Sequence, residues 1–501
     1  MTNEGGQSDR VVVPKKSVNK VGLLNSTAAE QMEGSTLTKG NEGKRNTHQT
    51  QCWESVHNKL QLVHQRAKED KKMRFTALMH HIYDIDALKA AYFKIKKDAA
   101  AGMDRETWRS YGENLEQNIQ NLSERLKHGA YRAKPVRRVF IPKPNGQQRP
   151  LGVTSLEDKV VQRATVEVLN AVYEADFIGF SYGFRPKRSQ HKALDALTVG
   201  IMKRKVNWVL DADIRDFYGS INHEWLVKFI EHRIADKRVV RLIQKWLKAG
   251  VFEDGQVTYD EAGAPQGASA SPLLSNVYLH YAYDLWVQQW RQKHAQGEVI
   301  VVRFADDTVV GFQYKTDAKR FLEELKERFL KFGLELHPEK TRLIEFGRFA
   351  AKGREAQGKG KPETFTFLGF THICGKTRNG KFTVLRQTIR KKLHAKVKEL
   401  KIELRKRMNQ PIREVGKWLR KVITGHYQYY AVPGNHSALS DFRYKVYWTW
   451  RRALTRRSQK GYITWKKMQL IIDRWLPTPR IVHPQPLKRF DVSTQGRSPV
   501  R

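Results

Sequence analysis

Asp306 and Asp307 stand side by side between two apolar, β-rich runs, Val299 to Phe304 and Thr308 to Phe312, so two carboxylates crown what reads as a hairpin tip. Adjacent carboxylates repel each other, and a divalent cation, which takes hard oxygen ligands, relieves that repulsion. Side chains alternate along an extended chain, so the two point to different sides and Asp306 is the expected direct ligand. A further carboxylate must come from another strand. The run Asn207 to Ile214 supplies Asp211 and Asp213 on one strand face, followed by Arg215-Asp216-Phe217-Tyr218. Three carboxylates on neighbouring strands, holding two Mg²⁺ about 4 Å apart, are what in-line phosphoryl transfer requires: one metal activates a 3′-hydroxyl and the other holds a triphosphate. A lone Asp-Asp pair would read as a solvated turn; the apolar flanks and DADIRDFY upstream argue for a site.

Other residues offer complementary chemistry. Lys143 and Arg149 flank the turn Pro144-Asn145-Gly146, two cations at the ends of a hairpin able to close over a triphosphate. Gln266, in Ala264-Pro265-Gln266-Gly267, can bond a sugar or a template, with Gly267 permitting close backbone approach. Between Arg390 and Arg407, Lys391, Lys392, Lys396 and Lys398 lie around Leu393, Val397, Leu400 and Leu404, which predicts an amphipathic helix with a basic back that tracks phosphates. From Arg386 to the end, 29 Lys and Arg stand against six Asp and Glu, interleaved with Tyr and Trp. Exposed rings of this kind stack on unpaired bases, whereas the helical spacing of Trp418, Tyr427 and Tyr430 predicts packing.

These groups need a scaffold. Residues 1–50 lack a sustained apolar period and read as a mobile tail. Residues 51–126 carry helical spacing, as at Leu78, Ile82, Ile85 and Leu88, and form a helical extension with a turn at Gly102. Strands and helices then alternate: strand signals at Arg138 to Ile141 and Trp208 to Ile214, helical ones at Trp225 to Ile234 and Leu242 to Leu247, and after the acidic hairpin a helix from Asp317 to Phe332 that Gly333 stops. The stretch KGREAQGKGKP over 352–362 reads as a solvated loop. Pro477, Pro479, Pro484 and Pro486 end regular helix beyond Leu476, leaving 477–501 as a tail.

Composition sets the class. The chain has 501 residues and a net charge of +41, which points to a polyanionic partner. Two cysteines, Cys52 and Cys374, cannot build a disulfide framework or a cysteine-rich zinc site. No 18-residue apolar run and no apolar N-terminal segment occur, so neither membrane spanning nor export is expected, and the place of action is the cytoplasm, on nucleic acid.

The blocks FIPKPNGQQRPLGV, YGFRPKRSQHKALDAL, DIRDFYGSINH, APQGASASPLLSN, FADD, LHPEKTRLIEFG, TFLGF and GHYQYYAVPGN, in this order over roughly residues 75–490, closely resemble the reverse transcriptase encoded by bacterial group II introns. The resemblance implies an α+β right-hand polymerase fold, with fingers and a ferredoxin-like βαββαβ palm over 127–385 and a helical thumb/maturase domain over 386–476. It implies an RNA-directed DNA polymerase that uses Mg²⁺, an RNA template, a DNA primer or target and dNTPs, and that also binds the intron RNA to assist splicing and retrohoming. Asp213, Asp306 and Asp307 match the family's metal triad, with Asp211 the local competitor. Phe217 or Tyr218 would lie against the incoming sugar and exclude a 2′-hydroxyl, unless both rings are core. Lys143 and Arg149 would hold the triphosphate, Gln266 the nucleotide or template, and Lys340 would protonate the leaving pyrophosphate. Lys391, Lys392, Lys396 and Lys398 would grip RNA. Phe304 replaces the usual Tyr, and Asp216 stands where a small residue is commoner. Family members often carry a zinc-dependent nuclease at the C-terminus; with one cysteine after residue 52, none is expected here. Two other readings share these motifs: a splicing cofactor with little polymerase activity, and a polymerase domesticated for defence or repair.

Overall fold

In the computed structural model the described residues are 47–142, 148–253, 255–259, 262–457 and 462–494. The tail reading of 1–50 therefore lies almost entirely outside them, as does Lys143. Helices Thr47–Glu69, Met79–Tyr83, Ile85–Lys94, Trp108–Glu113 and Leu115–Lys127 make up the N-terminal extension. Asp84 caps one of them by accepting from the backbone N–H groups of Asp86 and Ala87.

The acidic motifs lie on a four-stranded antiparallel sheet ordered Val299–Phe304, Asp307–Phe312, Trp208–Ala212, Arg342–Glu345. Helices separate Trp208–Ala212 from the hairpin, and helix Lys315–Leu330 separates the hairpin from Arg342–Glu345, giving a β-α-β-β-α-β unit. Both sheet faces are buried. Leu210, Val301 and Val310 pack toward helices 315–330 and 271–293, while Val209, Ile300, Val302 and Val309 meet helix Gln190–Lys203 on the other side. That two-sided burial explains the near-continuous apolar runs around the acidic tip.

A second sheet orders Gln148–Val153, Val136–Pro142, Val251–Glu253 and Gln256–Thr258, and a third joins Phe365–Phe367, Phe370–Lys376 and Phe382–Thr388. Strand Phe382–Thr388 crosses the boundary read at 385, and helix Arg390–Lys406 follows it. Two expectations are corrected. Residues 348–356 are helical, so only the Gly-rich half of KGREAQGKGKP is loop. The segment beyond Leu476 contains helix Pro486–Thr494, which packs on helix Gln190–Lys203. Proline breaks the preceding helix but is well suited to the first position of a new one, where its missing N–H costs nothing. Arg489 pairs with buried Asp195, which also binds Arg386 at 2.9 Å, so this segment is tied to the rest. Among the described residues no helix is long and apolar enough to cross a membrane.

The core contains several neutral imidazoles. Burial pushes His191, His280, His372 and His426 down to about 3, and His81 and His483 to about 4. Such rings stay neutral in the folded chain while those of the unfolded chain take up protons below about pH 6.5, so their contribution is intact above that pH and is lost as pH falls. Each of the four buried rings, His191, His280, His372 and His426, costs up to about 1.4 kcal/mol per pH unit in that range, and the partly exposed His81 and His483 cost less. The thermal midpoint should therefore drop between pH 7.5 and 5.5, measured by circular dichroism; a flat profile would show that these rings protonate without leaving the core.

Candidate active site

Asp213 follows strand Trp208–Ala212. Its carbonyl accepts from the His337 N–H at 2.8 Å, and Ile214 bridges Leu336, so the chain stays extended through the carboxylate. Asp306 sits in the two-residue turn between the paired Phe304 and Asp307. The preceding Ala305 has φ +56° and is buried. Its backbone presses on Gly183 so closely that any Cβ there would collide, which accounts for the glycine in YGFRP.

The two aspartates lie near enough for their charges to act on each other. Burial holds the Asp306 carboxyl above its ordinary range, the Asp213 charge adds to that, and Arg149 and Arg303 oppose it. Asp213 Oδ2 accepts from Lys340 Nζ at 2.6 Å, so an ammonium already answers the negative charge. Asp211 lies near enough to feel Asp213, but burial raises it to about 6 and its countercharge is Arg342, with which it is paired across the strands. Asp307 is exposed and opens the strand whose Thr308 pairs with Ala212, the residue before Asp213. Among the described residues no group of three His, Cys, Asp or Glu converges to hold a metal ion. The end of the central strand and the hairpin tip thus bring Asp213, Asp306 and Asp307 to adjoining backbone positions, with the charges of Asp213 and Asp306 close enough to act on each other. Carboxylates are a fitting donor set for Mg²⁺, which is commonly held by one or two of them together with substrate phosphates.

Around this pair stand the other expected groups. Burial pushes the Tyr218 phenol up to about 12, with the Asp306 charge adding; a hydrogen bond with Ser275 and the Arg149 charge pull the other way. Tyr218 is half-buried at the site, whereas Phe217 belongs to the core with 3% of its surface exposed. Asp216 has φ +40°, a left-handed conformation that aspartate tolerates better than most residues, and this accounts for it in a tight turn. The loop carrying Gln266 is fastened on both sides: the Ala264 N–H donates to the Tyr218 carbonyl at 2.8 Å, and the Gly152 N–H donates to the Gln266 carbonyl. Gly267 has φ +109°, and a Cβ there would lie 2.8 Å from the Gly152 carbonyl oxygen, so the close approach expected of it is real. Arg149 is exposed on the strand beside this loop, and Lys143 lies outside the described residues.

The basic helix Arg390–Lys406 buries Leu393, Leu400 and Leu404. Lys391, Lys392 and Lys398 are exposed, whereas Lys396 is largely covered and pairs with Glu399 at 2.9 Å. Tyr427 and Tyr430 are packed, as their spacing predicts, and Trp418 is half-buried beneath Arg407. The sequence reading missed Arg303, which is buried behind the acidic turn. A guanidinium inside an apolar strand was the signal that could have found it.

Comparison with known proteins adds the following. The family model described as reverse transcriptase (RNA-dependent DNA polymerase) matches residues 141–372. Protein YkfC of Escherichia coli (strain K12) is 32% identical over 304 residues, covering 53% of this chain and 74% of that protein. The group II intron-encoded protein LtrA of Lactococcus lactis subsp. cremoris is 34% identical over 241 residues, 47% of this chain and 39% of LtrA. A COX1/OXI3 intron 1 protein of Saccharomyces cerevisiae is 26% identical over 375 residues, 64% of this chain and 44% of that protein. The chain thus spans under half the length of the two intron proteins.

Proposed function

The chain belongs to the group II intron-encoded reverse transcriptases, and from that premise we propose that it copies an RNA template from a DNA primer and also grips intron RNA to assist splicing and retrohoming. The observation that carries the polymerase reading is that Asp213, at the end of one strand, and Asp306, at the tip of the hairpin paired with it, act on each other's charge, with Arg149 and Tyr218 within reach of Asp306. In right-hand terms the sheet bearing Arg149 serves as fingers, the sheet bearing the aspartates as palm, and the helices from Arg390 onward as thumb.

Mg²⁺ bound there supplies charge that lowers the pKa of the primer 3′-hydroxyl and screens the triphosphate. Asp213, Asp306 and Asp307 would hold it through their carboxylate oxygens. Arg149 and Lys143 neutralise the triphosphate. The Tyr218 ring walls the sugar, and Gln266 bonds nucleotide or template from a loop whose backbone is already tied down. As the 3′-oxygen bonds to the α-phosphorus and the bond to pyrophosphate breaks, Lys340 gives the leaving oxygen a proton. Primer extension on an RNA template with Mg²⁺ and dNTPs tests this directly; purified protein that makes no cDNA would overturn it.

The maturase part rests on charge. Lys391, Lys392 and Lys398 present three cations on one helix, a surface suited to the backbone of a large folded RNA. Replacing all three with Gln should weaken intron RNA binding and flatten its log–log salt slope by roughly 0.7 to 0.9 per lost phosphate contact. Short primer extension at saturating template should suffer less than splicing does. An unchanged slope with intact splicing would place the RNA-binding face elsewhere.

A further inference from the structure

Behind the acidic turn lies a polar cluster that the reaction, as described, does not use. Arg303 is 1% exposed. Its Nε and one terminal nitrogen bind the two oxygens of Asp284 at 2.7 and 2.6 Å, and the latter also donates to Ser181 Oγ at 2.8 Å. The other terminal nitrogen donates to Asn276 Oδ1 at 3.1 Å and to the Ala305 carbonyl at 2.8 Å. Asn276 in turn donates to the Gly183 carbonyl at 2.7 Å, the glycine on which Ala305 rests. Thr308, paired with Arg303 across the hairpin, meets the hydroxyl of Tyr283 at 2.9 Å.

Asn276, Tyr283 and Asp284 come from one helical rod, Ser271–Leu279 continued by Leu285–Lys293, whose middle is the π-turn His280–Asp284. At about 100° per residue, an uninterrupted α-helix would put residue 283 beneath residue 276 two turns on. The extra residue of the π-turn rotates the second half back, bringing Asp284 into that place so that Asn276 and Asp284 close on the same guanidinium. π-turns of this kind gather at functional sites. A buried ion pair adds little to stability compared with apolar side chains of the same volume, so stability alone does not account for it. The Arg303 guanidinium, however, holds the carbonyl of Ala305, whose left-handed φ of +56° is one alanine rarely adopts and which aims the next residue, Asp306.

We propose that Arg303, seated by the π-turn rod through Asp284 and Asn276, is a positioning residue for the polymerase site: its bond to Ala305 locks the acidic turn so that Asp306 stays within reach of Asp213. This rests on the polymerase reading above. The test compares the parent with Arg303→Lys, Asp284→Asn and the double variant Arg303→Met with Asp284→Leu, which removes both charges at once. Each is assayed for thermal midpoint, primer–template Kd, kcat and KM for dNTP, and Mn²⁺ affinity by paramagnetic resonance. In the double variant the midpoint should stay within about 5 °C. Its kcat and Mn²⁺ affinity should fall about 10- to 100-fold, as when partners behind a metal ligand are lost, with KM and primer–template Kd unchanged. Arg303→Lys, which keeps the charge but not the fork, should fail to restore kcat.

A folded double variant with parental kcat and Mn²⁺ affinity would overturn the proposal. Should the double variant not fold, the single variants decide: a lower kcat per folded molecule at unchanged KM supports positioning, and loss only in proportion to unfolding overturns it. If the parent itself makes no cDNA, the polymerase reading fails while the Mn²⁺ titrations still decide whether Arg303 sets the Asp306 geometry.

Discussion

Asp306→Asn should reduce primer extension on an RNA template on the order of 1,000-fold while leaving the chain folded. Asparagine has the shape of aspartate without its charge, so the turn keeps its packing and Asp213 loses the neighbour it repels. Asp306 is already held up by burial and by Asp213, and removing its charge relieves both costs; the thermal midpoint should be unchanged or higher. What disappears is a carboxylate of the acidic turn, and with it the means to hold the cation against the triphosphate. The RNA grip proposed for Lys391, Lys392 and Lys398 does not involve this residue, so intron affinity and support of splicing should persist. Near-normal cDNA synthesis by Asp306→Asn would sink the assignment of the site. Loss of RNA binding in parallel would mean that the two activities share more than this separation allows.

Tyr218→Ala should raise incorporation of ribonucleotides relative to deoxyribonucleotides on the order of 100-fold, about 2.7 kcal/mol of discrimination lost. The ring is half-buried beside Asp306, and its backbone carbonyl anchors the Gln266 loop through Ala264, so the side chain can be cut back without releasing that anchor. Phe217→Ala makes the contrast. Phe217 lies in the core against Tyr218, ring centroids 5.5 Å apart, so its truncation should destabilise the chain by about 3 to 5 kcal/mol without changing sugar choice. Competition between a dNTP and its rNTP on one template measures the ratio. An unchanged ratio in Tyr218→Ala would assign the steric wall to another side chain.

Much of this chain was legible from its residues alone. Short apolar runs broken at Asp-Asp and at Asp213 can form only strands that end in carboxylates, because alternation and turn chemistry act over a few residues and leave their mark in the local sequence. The excess of Lys and Arg after Arg386 needed no coordinates, since charge is additive, and the ordered motifs carried the family. What the tertiary structure decided lies in contacts between distant segments. Whether Phe217 or Tyr218 meets the site depends on which neighbour the core absorbs, and the sequence offers two aromatic rings of nearly equal size. Lys396 is partly covered and bound to Glu399, whereas Lys391, Lys392 and Lys398 lie exposed on the same helix. The helix after Pro486 is hidden by the prolines before it and held by Asp195, nearly three hundred residues earlier. Arg303 is the extreme case: one residue breaks the apolar strand, yet its partners lie at 181, 276 and 284, and a π-turn must shift a helix by one residue before Asp284 can reach it. Local periodicity records which face of a strand is buried, but a buried charge is tolerated only where several remote groups converge on it, and that convergence exists only once the chain has folded.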